Sequence, residues 1–191
     1  MFKKSLVVLF GLCLLITFTS IAAADSAVPK DEKKKTEAGK YVTAADAYAM
    51  WKSNPDKIKV VDCRLPQEYV FVGHAPMAYN IPSKVWTGKW DPEKKDYVLE
   101  DNAAFEAHAK KLFSPGDTIL VMCRSGHRSA ASVNRLTKAG FTNVYNITDG
   151  FEGDKVSDEE SFFKGKRMKN GWKNSCVPWT YDLNPELVYA P

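Results

Sequence analysis

T-I-L-V-M-C-R-S-G-H-R-S-A-A-S-V-N-R-L-T-K-A-G, Thr118 to Gly140, carries two periodicities joined at a cysteine. Ile119, Leu120, Val121 and Met122 form an apolar run of strand length that stops at Cys123. Helical spacing then takes over at Ala130, Val133 and Leu136 and ends at Gly140. The stretch predicts a strand, a tight loop and a helix, with Cys123 at the hinge. A thiol there faces the unpaired amides and positive dipole end of the helix, and Arg124 and Arg128 add charge within the same six residues. These effects favour the anion, so Cys123 is predicted to have a lowered pKa and to present a thiolate.

Working outward, the same alternation recurs. Thr43 reads as an N-cap for a helix over Ala44 to Lys52, with Ala47, Met50 and Trp51 at helical spacing before Asn54-Pro55 stops it. Ile58, Val60 and Val61 read as a short strand that ends in Asp62-Cys63-Arg64, and Val144 to Ile147 as another. Between them, Asp101 or Asn102 caps a helix with Ala104, Phe105, His108 and Leu112 near one face, ending before Pro115-Gly116-Asp117. Alternating strands and helices predict an α/β fold, a mostly parallel central sheet with helices on both faces. Ligand sites in such sheets lie at the carboxyl ends of the strands, so Asp62 to Arg64 and Cys123 to Arg128 are expected to face one crevice.

The loop Cys123-Arg124-Ser125-Gly126-His127-Arg128 resembles the Cys-x4-Arg active-site loop of rhodanese-type sulfurtransferases. A second stretch strengthens the resemblance: Asp62-Cys63-Arg64, Glu68-Tyr69, then Gly73-His74-Ala75-Pro76-Met77-Ala78-Tyr79-Asn80-Ile81-Pro82. It is similar to the family's Asp-x-Arg, Glu-Tyr, Gly-His-Ile-Pro-Gly-Ala-x-Asn-Ile-Pro, departing at Ala75 and Met77. The resemblance implies a rhodanese-like domain over 41–191, with an insert near 83–101 and an aromatic C-terminal extension over 154–191. It also implies an enzyme with Cys123 as nucleophile, which takes sulfur from a small sulfur-containing anion such as thiosulfate or polysulfide. The sulfur is held as a persulfide and passed to a thiol or cyanide-like acceptor, with no cofactor and no metal. In that reading the amides from Arg124 to Ser129, Gly126 included, stabilise the sulfur, and Ser125 and Ser129 donate to it. Arg124 and Arg128 bind the donor oxyanion, and Asp62 and Arg64 support the loop from behind, the carboxylate holding the loop or a cation. His74 reads as a hydrogen-bonding turn residue. His127 reads as a solvent-facing side chain, the alternative being a pH-dependent charge beside an anionic substrate.

Phosphatases and arsenate reductases use a similar loop with five residues between Cys and Arg. Here there are four, Arg124 to His127, a ring better suited to sulfur than to a phosphoryl group. Two other readings stay open: a thiol-disulfide or redox-gated protein with Cys63 or Cys176 as resolving thiol, and a non-catalytic binding module. Retention of the cysteine favours catalysis over the latter.

The chain's 191 residues, 45% hydrophobic, fit one domain with appendages. Lys3 and Lys4, an apolar run of about 13 residues from Leu6 to Phe18, and Ala22 to Ala24 read as a cleaved signal peptide over 1–24. The run falls short of the roughly 20 residues of a spanning helix, so the expectation is a periplasmic protein with no stable membrane insertion after cleavage. Cleavage leaves 25 basic against 23 acidic side chains, a balance that gives no reason to expect nucleic-acid binding. Residues 25–40, charged and nearly devoid of apolar groups, read as a solvated linker. Of the remaining cysteines, Cys63, Cys123 and Cys176, an odd count leaves at least one unpaired in a monomer, and Cys123 is the candidate. Trp86, Trp90 and Tyr97 flank a polar turn at Asp91 to Asp96 and predict two extended pieces with a local aromatic cluster. A pocket wall and a homodimer face are the alternatives there. Residues 154–175 give little pattern, whereas the aromatic tail from Trp172 to Pro191 suggests an extended segment laid across the domain.

Overall fold

The structure, a computed structural model, describes residues 28–190; the leader read over 1–24 lies outside the described residues. Strands β1 (Tyr41–Val42), β2 (Ile58–Asp62) and β3 (Ala78–Asn80) belong to a parallel sheet, and β4 (Lys84–Asp91) and β5 (Asp96–Asp101) form a separate antiparallel hairpin. Strands β6 (Thr118–Met122) and β7 (Asn143–Ile147) complete the sheet in the order β1-β7-β6-β2-β3. Helices α1 (Ala44–Ser53), α2 (Pro66–Val72), α3 (Phe105–Leu112) and α4 (His127–Lys138) fill the connections. The fold is the α/β arrangement expected.

Strand β6 is apolar without alternation because both of its faces are covered. Ile119 and Val121 pack with α3 and α4, through Phe105, Val133 and Leu136. Leu120 and Met122 pack on the other face with Ala47 of α1, Tyr69 of α2 and Trp172. Thr43 caps α1 by accepting from the Asp46 amide at 3.2 Å. At α3 the helix face differs from the prediction: Phe105 and Ala109 are buried, and Leu112 is exposed. The inward position it was expected to hold goes to Phe113, one residue beyond the helix.

The aromatic tail does lie across the domain. Trp172 is fully buried, Thr180 pairs antiparallel with His74, and the Leu187 carbonyl accepts from the Asn80 amide of β3 at 2.8 Å. His74 is a turn residue as expected, its ring nitrogens 3.1 Å from the Tyr69 carbonyl and 3.2 Å from that of Asp182.

The charged segment before β1 behaves differently from the linker expected. A short 3-10 turn, Glu32–Lys34, packs on α4. Lys34 is buried, its ammonium 3.0 Å from Asp154 and its carbonyl accepting from Asn146 at 2.9 Å. The Glu37 amide donates to Asn134 at 2.9 Å. A lysine can cover apolar surface with its stem when its charge is paired, and composition alone does not reveal the pair.

Candidate active site

Strands β2 and β6 run side by side, with Asp62 opposite Met122, and stop together. Cys123 is therefore delivered to the carboxyl edge of the sheet at the mouth of α4. The turn that follows requires Gly126. Its φ is +96°, and a Cβ there would sit 2.2 Å from the Thr148 carbonyl. The Gly126 amide points back and donates to Cys123 Sγ at 3.2 Å.

Ser129 Oγ lies 3.5 Å from Cys123 Sγ and 2.6 Å from Asn146 Oδ1. A hydroxyl has one proton, shared here between a short branch to Asn146 and a longer, weaker one to the sulfur; Asn146 Oδ1 is an acceptor because its amide nitrogen donates to the Lys34 and Gly126 carbonyls. The Ser129 amide also favours the anionic form of the sulfur. From outside, the segment after β7 braces the loop. Phe151 N–H donates to the Cys123 carbonyl at 2.7 Å and Glu152 N–H to that of Arg124 at 2.9 Å. Gly150 makes this approach feasible, with φ +64° and an added Cβ only 2.5 Å from the Cys123 carbonyl.

Burial opposes the Cys123 anion, yet the Cys63 thiol, the Arg128 charge and the Ser129 hydroxyl and amide together hold it well below the ordinary cysteine value. The thiolate expected from the sequence is thus supported electrostatically, with a contribution from Cys63 that the sequence reading did not include.

The other loop residues divide. Arg124 is exposed and has no ion-pair partner among the described residues. Arg128, expected to bind the donor oxyanion, is instead held by Glu68 through two bonds of 2.7 and 2.6 Å. That carboxylate lifts the guanidinium pKa against burial, and the guanidinium in turn lowers the Glu68 pKa despite burial. His127 is exposed as expected and lines the cavity, and its ring bonds Asp31 at 2.7 Å; that bond holds the Asp31 carboxyl below the usual range. Ser125 lines the cavity, but the donors to the sulfur are Gly126 and Ser129.

Asp62 and Arg64 do not face the crevice. Both are fully buried, with Arg64 Nε 2.9 Å from Asp62 Oδ1 and Nη2 2.6 Å from Oδ2. The cation that Asp62 holds is Arg64 itself. Its guanidinium lies 4.1 Å from the Phe151 ring centroid, so the pair supports the residue that bonds the Cys123 carbonyl. The crevice takes Leu65 and Glu68 from this side instead.

Cys123 forms part of a cavity of about 560 Å³. The β4–β5 hairpin folds over it. Trp86 and Tyr97 pack edge-to-face with centroids 4.9 Å apart, the local cluster expected, but with Leu99 they also wall the cavity. Glu68, Asn146, Asp31 and Lys34 are site residues that sequence reading did not assign. Only Glu68 had a local signal: it sits three residues after Leu65, whose amide it caps at 3.0 Å, in a helix-start pattern that says nothing of Arg128.

The chain is similar to known proteins. The rhodanese-like domain family matches residues 43–156. The protein RC0915 of Rickettsia conorii, described as uncharacterized, is 33% identical over 140 residues, 73% of this chain and 96% of that one. Thiosulfate sulfurtransferase 16 of Arabidopsis thaliana is 31% identical over 93 residues, 49% of this chain and 70% of that one. The crystal structure of Rv0390 from M. tuberculosis superposes with a TM-score of 0.56 at 28% identity, covering 74% of this chain and 96% of that one. The parallel sheet, the Cys123 loop at its edge and these similarities lead to one conclusion: the chain belongs to the rhodanese-like domain family.

Proposed function

We infer that this protein is a sulfurtransferase that carries sulfane sulfur on Cys123. The observation that carries the reading is the sulfur atom itself, at the floor of a cavity with the Gly126 amide 3.2 Å away and its thiolate form favoured. The thiolate attacks the outer sulfur of the donor, the donor S–S bond breaks, and the remainder leaves as an anion. The persulfide keeps its charge on the outer sulfur, where the loop amides stabilise it. An acceptor nucleophile then takes that sulfur and returns Cys123 to the thiolate, a two-step exchange with ping-pong kinetics. The naming of an Arabidopsis relative as a thiosulfate sulfurtransferase is consistent with this chemistry.

The surroundings favour polysulfide over thiosulfate as donor. Glu68 occupies the donors of Arg128, leaving Arg124 as the loop cation for an oxyanion, and the cavity walls include Val72, Trp86, Tyr97 and Leu99. A polarizable sulfur chain gains from such walls what a compact, strongly hydrated dianion does not. Export to the periplasm is part of the same proposal, supported by the Leu6 to Phe18 run and Ala22 to Ala24; N-terminal sequencing of the mature protein should begin near Asp25.

Mass spectrometry of protein incubated with polysulfide or thiosulfate tests the reaction. The expected result is a gain of one sulfur in the wild type, more readily from polysulfide, and none in Cys123→Ser. No gain from either donor would end the sulfurtransferase reading.

A further inference from the structure

Cys63 directly follows β2 and Cys123 directly follows β6, and the last paired residues of those strands, Asp62 and Met122, are register partners. The two cysteines are therefore lateral neighbours, and the Cys63 amide donates to the Met122 carbonyl at 2.8 Å. Both side chains point to the same face of the sheet, into one core cluster with Val61 and Val121. Neighbouring strands lie about 4.8 Å apart, within the roughly 4.4–6.8 Å Cα separation of disulfides. The Cys63 thiol is fully buried, lowers the Cys123 pKa from its side of the sheet, and is absent from the cavity wall that Cys123 helps to form. A group added to Cys123 from the cavity thus leaves Cys63 on the core side of the sulfur, where a displacing nucleophile has to stand.

The geometry points to Cys63 as a second reacting cysteine, which resolves Cys123 after oxidation by a hydroperoxide and closes a Cys63–Cys123 disulfide. In the first step the Cys123 thiolate attacks the terminal peroxide oxygen. The O–O bond breaks, the alkoxide or hydroxide leaves and is protonated by water, and Cys123 becomes a sulfenic acid. In the second, Cys63 sulfur attacks Cys123 Sγ and the S–O bond breaks. The hydroxide leaves with the Cys63 proton as water. Two thiols are oxidised by two electrons, one hydroperoxide is reduced, and an external dithiol returns the pair to its starting state.

The resting environment keeps Cys63 quiet until that moment. Burial, and then the adjacent Cys123 anion, hold its thiol well above the ordinary value, while the Ser132 hydroxyl and the Arg128 charge act the other way. Oxidation of Cys123 removes the anion and leaves Arg128, so the opposing charge disappears in the state that needs the nucleophile. Cys176 is exposed in the tail and is not part of this pair.

The test treats reduced full-length protein with a molar excess of hydrogen peroxide, alkylates it under denaturing conditions and maps the non-reduced peptides by mass spectrometry. The expected product is a linked pair of peptides carrying Cys63 and Cys123, lighter by two hydrogens than the two thiol peptides and split by dithiothreitol. In Cys63→Ser, and in Cys63→Ala as a second variant should the first fold poorly, Cys123 is expected to proceed to sulfinic and sulfonic acids that dithiothreitol does not reverse. The wild-type linkage does not depend on either variant. Alkylated Cys63 alongside overoxidised Cys123 in the wild type would overturn the assignment, as would linkage of Cys123 to Cys176 or to a second chain. A parallel sample given polysulfide without peroxide reads sulfur uptake alone. Linkage without uptake supports the Cys63 step while the sulfurtransferase reading falls; uptake without linkage overturns the Cys63 step and leaves sulfur transfer standing.

Discussion

Glu68 and Arg128, sixty positions apart, grip each other through both guanidinium Nη nitrogens at 2.7 and 2.6 Å. One carboxylate on α2 thereby occupies the guanidinium donors that the active-site loop would offer to an anion. Glu68→Ala should release it. The KM for thiosulfate is expected to fall on the order of three- to tenfold as Arg128 becomes available to an oxyanion, and stability to fall by about 2 kcal/mol as a partly buried charge loses its partner. Steady-state kinetics and urea titration measure the two. An unchanged thiosulfate KM would mean that Arg128 is not what limits oxyanion binding. Because the folded Glu68 carboxyl is depressed, the pair's stabilisation is complete above the ordinary carboxylate range and disappears as pH falls through the folded value.

The Cys123 thiolate sets a pH dependence of its own. With its pKa well below the ordinary value, alkylation by iodoacetamide should reach its plateau at a lower pH than an ordinary cysteine and fall about tenfold per unit below its midpoint. Ser129→Ala removes the neighbouring hydroxyl and should move that midpoint up. A wild-type midpoint near the ordinary cysteine value of about 8.5 would contradict the electrostatic account of the loop.

Gly150→Ala tests the brace behind the loop. The left-handed backbone alone costs about 1–2 kcal/mol with a side chain, and the Cβ meets the Cys123 carbonyl at 2.5 Å. Thermal unfolding should shift down by several degrees, and sulfur uptake should slow because the carbonyl that must move belongs to the nucleophile.

Trp86→Ala removes a cavity wall and leaves the loop untouched. Its effect should fall on kcat/KM for polysulfide, reduced about tenfold, with kcat/KM for thiosulfate changed far less. Equal losses with both donors would show that the hairpin does not discriminate between them.

Much of the fold was legible because its signals are local. Ile119 to Met122 reads as a strand from its own composition, Thr43 announces the helix after it, and the tail's aromatics declare that they need a surface to cover. The direction of the Cys123 shift followed in part from Arg128 and Ser129, its neighbours in the chain, although Cys63 on the adjacent strand contributes as well. What escaped was non-local. Lys34 looks like a solvated charge until Asp154, 120 residues on, is brought to 3.0 Å. Arg128 looks like a free anion-binding group until Glu68 arrives from another helix. Asp62 and Arg64 stand at the end of the right strand, but their mutual attraction turns them into the core and gives the crevice to Leu65 and Glu68. In each case a charge was read by its type, when its role depended on a partner the sequence does not announce.

The tail's bonds to His74 and to Asn80 have a consequence for solubility. Strand β3 is the last strand of the sheet, and outer strands with unpaired amides are templates for intermolecular assembly. Here the Leu187 carbonyl occupies the Asn80 amide, and Thr180 pairs beside it. A chain truncated before Thr180 would present that margin bare, and its first symptom should be self-association through β3, ahead of any change at Cys123.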